Sequence, residues 1–262
     1  MAKFRSLLGF SLMALSACRS GAPPEPESRR APAPTPVPPA PPKPVETAKP
    51  EPRRPPDTPP GMEKPVAEVP VSPGDPLAGK FSLADATAGL PPGNKLVATM
   101  KTDKGTLECE LYADKAPITV ANFVGLARGL RPWKNPAGEW VKKPLYDGTP
   151  FHRIIPGFMI QGGDPRGNGS GDPGYVIPDE VWTGAHHDTR GQICMANRGP
   201  NTNGSQFFIM DGAASHLDSG YTIFGKCSPD SVIQAIAATK TQGDRAIDPP
   251  KIQSVTVKRV KG

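Results

Sequence analysis

Apolar and polar positions alternate along two neighbouring stretches, Lys95 to Met100 and Thr106 to Leu111, which read as strands joined by the turn Asp103-Lys104-Gly105. Pro117 then opens a helix at a position where its missing N–H costs little. Val120, Phe123, Val124 and Ala127 recur there at the spacing of one buried face, and Gly129 stops it. Phe151 to Asp164 reads as two short strands, punctuated by Pro156-Gly157 and closed by Gly162-Gly163. Further strands are expected at Gly191 to Met195, Gln206 to Met210, Tyr221 to Lys226 and Ile252 to Val260. A second helix starts at Ser228-Pro229-Asp230, with Ser228 as N-cap, Pro229 as first helical residue and Val232, Ile233 and Ile236 as apolar face. Many short strands with only two helices exclude a parallel α/β sheet and suit a closed antiparallel barrel, which has no free edges.

The same alternation sorts side chains by face. It sets Phe151 and Arg153 on one side of their strand, with His152 and Ile154 on the other; Met159 pairs with Gln161, and Gln206 with Phe208. A cation, amides and large apolar groups then look into one space. The plain alternative is a core hairpin whose Arg snorkels to water, but Arg is rarely set among apolar residues without a partner.

The chain has 262 residues, a net charge of +6 and 36 prolines, well over half of them before Gly93. The charge is spread thinly, with no dense basic patch, so nucleic acid is not an expected partner. Residues 1–18 read as an export signal: Lys3 and Arg5, then the short apolar run Leu7 to Leu15, too short to span a bilayer, then Leu15-Ser16-Ala17-Cys18. That last tetrad resembles a bacterial lipobox, which makes Cys18 the expected lipidation site; the plain alternative is an ordinary secretory signal. Residues 19–92 are rich in Pro, Ala, Glu, Lys and Arg and read as a disordered tether, with a short helical or irregular piece at Phe81 to Leu90. In polyproline II form, at about 3.1 Å per residue, such a tether reaches about 200 Å at most. Residues 93–262 are the expected folded domain. Cys109, Cys194 and Cys227 read as buried thiols, with one disulfide as the alternative. His186-His187-Asp188 lacks further ligands at metal spacing, and Gly167-x-Gly169-x-Gly171 opens no helix, so neither a metal nor a dinucleotide is expected. The second run instead reads as a flexible loop beside the site.

Three motifs in order, Phe-His-Arg-x-x-x-x-Phe-Met-x-Gln-Gly-Gly-Asp from Phe151, Met-Ala-Asn from Met195 and Asn-Gly-Ser-Gln-Phe-Phe from Asn203, closely resemble the cyclophilin family of peptidyl-prolyl cis-trans isomerases. The resemblance covers Lys95 onward. It implies an eight-stranded barrel with a helix over each end and no cofactor. It also implies an apolar proline pocket of Phe158, Met159, Phe208 and Leu217, lined further by Ala196 and Gln206. Gln161 would orient Arg153, the Asn197 backbone would pair with the peptide, and Tyr221 would form an aromatic wall where many members have His. His216 stands where many have Trp, which sets tight cyclosporin binding outside what the resemblance implies. His152 is expected to be structural, and Trp133 and Trp140, in the loop from Leu130 to Pro144, to pack on the surface.

The chemistry agrees. Twisting an X-Pro amide breaks its resonance at a cost of about 20 kcal/mol, with no bond to another group made. A fixed Arg can donate to the prolyl nitrogen as its lone pair returns, so Arg153 is the expected catalytic residue. The reading is an isomerase that acts on Pro-containing polypeptides during folding of exported proteins. It would be a monomer, held through acylated Cys18 to a membrane of the bacterial envelope, with its domain in the periplasm or at the cell surface. The alternatives are a Pro-peptide-binding module without turnover and an envelope tether.

Overall fold

The computed structural model describes residues 70–262, which fall within one compact unit. The expected signal, Cys18 and most of the tether lie outside the described residues. In order, the elements are α1 (Leu83–Thr87), β1 (Lys95–Thr102), β2 (Gly105–Leu111), α2 (Pro117–Ala127), β3 (Trp133–Lys134), β4 (Trp140–Val141), β5 (Arg153–Ile155), β6 (Met159–Gly162), β7 (Gln192–Met195), β8 (Phe207–Met210), a 3-10 turn (Ser215–Leu217), β9 (Ile223–Ser228), α3 (Asp230–Ala237), β10 (Thr241–Gln242), β11 (Arg245–Ala246) and β12 (Ile252–Val260).

Ten of these strands form one antiparallel sheet in the order β10-β11-β5-β6-β8-β7-β9-β2-β1-β12. The fold is mainly β, as expected, but the sheet is open rather than a closed eight-stranded barrel. The chain at Gly148 to Phe151 meets the start of β12 through a single bridge, Pro150 to Lys251, and a few flanking hydrogen bonds. Pro150, Pro249 and Pro250 have no N–H with which to extend that contact into a ladder.

Strand alternation divides the interior in two. Ile160, Ile193, Met195, Phe207, Ile209 and Phe224 join a main core with Phe123, Tyr146 and Phe151. Their neighbours in the same strands, Met159, Cys194, Phe208, Met210 and Ile223, form a second cluster with Leu217. A period of two thus sends one side chain to the core and the next to the other face. The strict alternation expected before Arg153 fails, because β5 begins only at Arg153. Phe151 and Ile154 both reach the main core.

Two helices differ from expectation. In α2 every residue from Thr119 to Ala127 is buried, not one face alone. The cause is a strap, Pro70 to Leu90, which covers the helix's outer side. Phe81 lies so close to Gly125 that any Cβ there would overlap its ring. Arg128 donates to the carbonyls of Ala86 (2.6 Å) and Ala88 (2.9 Å). The Asp75 and Arg131 side chains, 2% and 3% exposed, form an ion pair at 3.5 Å beneath the strap. The boundary expected at Gly93 therefore falls inside the packed unit. At α3, Pro229 rather than Ser228 is the N-cap, because Ser228 is still paired with Glu108 in the β2–β9 ladder.

The same ladder sets Cys109 opposite Cys227, and the two are joined in a disulfide; among the described residues Cys194 stays a buried thiol. Within the stretch expected as a loop, β3 and β4 form a small hairpin. Trp133 is buried there, with its indole N–H on the Lys143 carbonyl (2.8 Å), and Trp140 packs against the core edge.

Candidate active site

Five adjacent strands and a turn bring the site together. The ladders pair Arg245 with Arg153, Arg153 with Gln161, Gln161 with Phe208, and Phe208 with Cys194. Residues directly opposite in an antiparallel sheet project to the same face. Arg153, Gln161 and Phe208 therefore stand side by side across three strands. With them, His152, Phe158, Met159, Gly169, Ala196, Asn197, Leu217 and Tyr221 line one cleft. Gln206 lines an adjoining recess that shares Gln161, Gly169, Ala196 and Asn197 with it. Every expected site residue in the described region is thus in one place.

The apolar wall is firmly held. Met159, Phe208 and Leu217 are almost fully buried. Phe208 meets Tyr221 edge-on at 5.8 Å, and Phe158 lies 5.5 Å from the His216 ring. The Phe158 turn is pinned by Asp211, which accepts from the Gly157 N–H (2.7 Å) and donates its own N–H to the Phe158 carbonyl (2.8 Å).

The polar wall is a chain of hydrogen bonds. Arg153 Nε donates to Asp244 Oδ2 at 2.6 Å, and Nη1 to Gln161 Oε1 at 3.4 Å. Gln161 Nε2 donates to Gln206 Oε1 (3.0 Å), and Gln206 Nε2 to the carbonyls of Gly171 (2.8 Å) and Gly169 (3.1 Å). Arg153 is 41% exposed in its side chain, and its Nη2 has no hydrogen bond among the described residues. The guanidinium is thus fixed through one edge while donors remain for a ligand. The Asp244 carboxyl is held below the usual carboxylate range by its bond to Arg153.

The Gly-rich loop is not a loose flap: it wraps a buried carboxylate. Burial pushes Asp164 up, but the amides of Arg166, Gly171, Gly169 and Asn168 outweigh this and hold it low. A Cβ on Gly171 would overlap Asp164 Oδ1. His152 lines the cleft as well as filling a structural position. Burial lowers its pKa, with the Asp164 charge in partial opposition, so the ring is neutral. The Asn197 side chain donates to the Gly220 carbonyl (3.0 Å), while its main-chain groups have no hydrogen bond among the described residues and border the cleft.

His186 and His187 both turn to Asp218 rather than to a metal-like cluster, at 3.0 Å and 2.9 Å. Asp244 and Asp211 are the residues that sequence reasoning missed. Gly243-Asp244 is a turn signal, and Gly243 has φ +64°, but it sits between strands of two residues each, too short to show a period.

An apolar slot with one fixed, partly free guanidinium at its rim suits an amide that is turning, and known proteins agree. Residues 97–257 match the family model described as cyclophilin type peptidyl-prolyl cis-trans isomerase. The chain belongs to the cyclophilin family. It is 47% identical over 165 residues to peptidyl-prolyl cis-trans isomerase A of Mycobacterium tuberculosis, across 61% of this chain and 91% of that one. It is 48% identical over 169 residues to isomerase B of Streptomyces anulatus, across 62% and 97%. A crystal structure of a Cryptosporidium parvum cyclophilin, obtained in the presence of the dipeptide Ala-Pro, superposes with a TM-score of 0.53 at 32% identity, across 62% of this chain and 98% of that one. This cyclophilin is accordingly a peptidyl-prolyl cis-trans isomerase acting on Pro-containing segments.

Proposed function

We propose that Arg153 is the catalytic residue of this isomerase and that its natural substrates are exported proteins during folding. The observation that carries the first part is the Asp244–Arg153–Gln161 chain, which leaves the guanidinium anchored and partly unoccupied beside Phe208. The substrate proline sits against Phe158, Met159, Phe208 and Leu217, with Tyr221 as the far wall. Its flanking chain runs past Ala196, pairs with the Asn197 main chain and reaches Gln206. As the amide twists, the prolyl nitrogen becomes pyramidal and accepts from Arg153. That bond exists only in the twisted state, so it lowers the barrier rather than merely tightening binding. Because the donor is held beforehand, little reorganisation is needed.

The cellular part rests on other residues of the chain. Leu15-Ser16-Ala17-Cys18 supports an acylated anchor, and the Pro-rich stretch that follows supports a spacer between membrane and enzyme. The Cys109–Cys227 bond supports an oxidising compartment outside the cytoplasm. The enzyme would act there as a monomer.

Isomerisation of a short Ala-Pro peptide tests the catalytic role. Arg153→Ala should lose about 10²- to 10³-fold in turnover, the scale of one preorganised donor, with little change in peptide affinity. Equal turnover by mutant and wild type defeats the assignment. Cys18→Ser should release the protein from membranes; unchanged partition defeats the anchor.

A further inference from the structure

The turn that carries Leu217 is fastened at both ends to one buried histidine. Ala214 donates its N–H to the His187 carbonyl at 2.7 Å. Asp218 Oδ1 accepts the His187 N–H at 2.8 Å and lies 2.9 Å from His187 Nδ1. Between the two fixings sits the 3-10 turn Ser215–Leu217, which presents Leu217 to the cleft and His216 to the Phe158 ring. The His187 ring, 1% exposed, lies near-parallel to Phe208 and edge-on to Tyr221, with centroids 6.5 Å apart in both cases. One residue, through its ring and its main chain, therefore packs near or fixes three walls of the proline slot.

Packing alone does not account for an imidazole here. With Nδ1 on Asp218, Nε2 is left over, and it is buried with no hydrogen-bond partner among the described residues. A Phe would fill the same space without an orphaned nitrogen. What only the imidazole supplies is the second bond to Asp218.

We infer that Asp218 and His187 are a positioning pair. They set Leu217, Phe208 and Tyr221 at the spacing that a prolyl ring requires. They govern how tightly an X-Pro segment is held, not how fast the bound amide turns. Neither residue touches the reacting bond. The inference rests on the reading of this cleft as the X-Pro site, and the two fail differently.

The test is an NMR titration of the full chain with an Ala-Pro peptide, with catalysed exchange measured at saturation. Asp218→Ala and His187→Phe should each weaken Kd about five- to tenfold, the scale of one typical intramolecular hydrogen bond, with exchange at saturation within about twofold of wild type. Asp218→Asn keeps an oxygen for both His187 donors and should restore Kd. His187→Phe should melt no lower than wild type, since it removes the orphaned nitrogen; a role in stability alone would instead lower the melting temperature and leave Kd unchanged. An unaltered Kd in His187→Phe overturns the inference, whether or not Asp218→Ala folds. So does Asp218→Asn binding as weakly as Asp218→Ala. A wild-type chain that does not bind Ala-Pro peptide would overturn the reading of the cleft itself. Arg153→Ala binding normally without exchange leaves both standing.

Discussion

Arg131 and Arg153 hold the same kind of partner at two places in the molecule and do opposite things with it. Arg131 lies under the N-terminal strap, paired with Asp75 and stacked 3.9 Å from the Tyr175 ring centre, with Phe81 at 5.3 Å on the strap. The site is closed, and its task is to hold residues 70–90 on the body. Arg153 sits at the rim of the cleft, with a closer carboxylate but 41% of its side chain open. A buried charge with every direction blocked is architecture. A charge braced on one side and open on the other is available for chemistry.

The comparison breaks first at the buried end. Asp75→Ala leaves the Arg131 charge buried and unpaired, a change worth about 3–5 kcal/mol. It also frees the amides of Leu77 and Gly79, which Asp75 accepts at 2.9 and 3.0 Å. Denaturant titration should show that loss in full, while turnover per folded molecule stays at the wild-type level because the cleft is untouched. Substantial loss of turnover in the folded fraction would erase the distinction between the two arginines.

At the open end the effect should appear in rate and not in stability. Arg153→Lys keeps the charge but loses the fork, so it cannot hold Asp244 and an amide nitrogen with one rigid plane. Turnover should fall by about tenfold or more, toward the Arg153→Ala value, with the melting temperature unchanged. Asp244→Ala should cost less, about three- to tenfold in turnover, because Gln161 still braces Nη1. A Lys variant with full activity would mean that charge alone suffices and that the fork's geometry is idle.

How much of this could be read from the chain alone depends on length of pattern. β1 and β2 follow their alternation over enough residues to fix both strand and face, whereas β8 is a short, fully buried apolar run. The Phe-His-Arg stretch led to Arg153 even though its strand begins only there. Asp244 was not legible, because two-residue strands carry no period and its partner is far away in sequence. The strap was hidden by composition: prolines around it resemble a tether, yet Ser82 and Asp85 form a capping box and Phe81, Leu83 and Leu90 pack on the core. Closure into a barrel was expected from strand count, and the prolines at 150, 249 and 250 decided against it. The cysteines needed the β2–β9 register, which only the fold supplies.

The smallest expected effect concerns protons on the two buried histidines that back the cleft. Burial lowers the pKa of both His152 and His187 from the ordinary value of 6.5, with Asp164 in partial opposition at the first and Asp218 at the second. Burial therefore favours the neutral form of each in the folded protein, so the unfolded chain takes up protons first as the solution is acidified. The stability they contribute is complete above about pH 6.5 and declines as pH falls below it toward their lowered folded values. His186 has the opposite sign, since its bond to Asp218 raises it, but it is exposed and water screens it. Melting temperatures should accordingly drop between pH 7.5 and 5.5, and His187→Phe should flatten part of that drop, because it removes one of the two groups. Among the described residues the Arg131 end has no histidine partner, so Asp75→Ala should lower the whole curve without changing its slope. A slope that changed with Asp75→Ala would place the pH response in the strap instead of behind the proline slot.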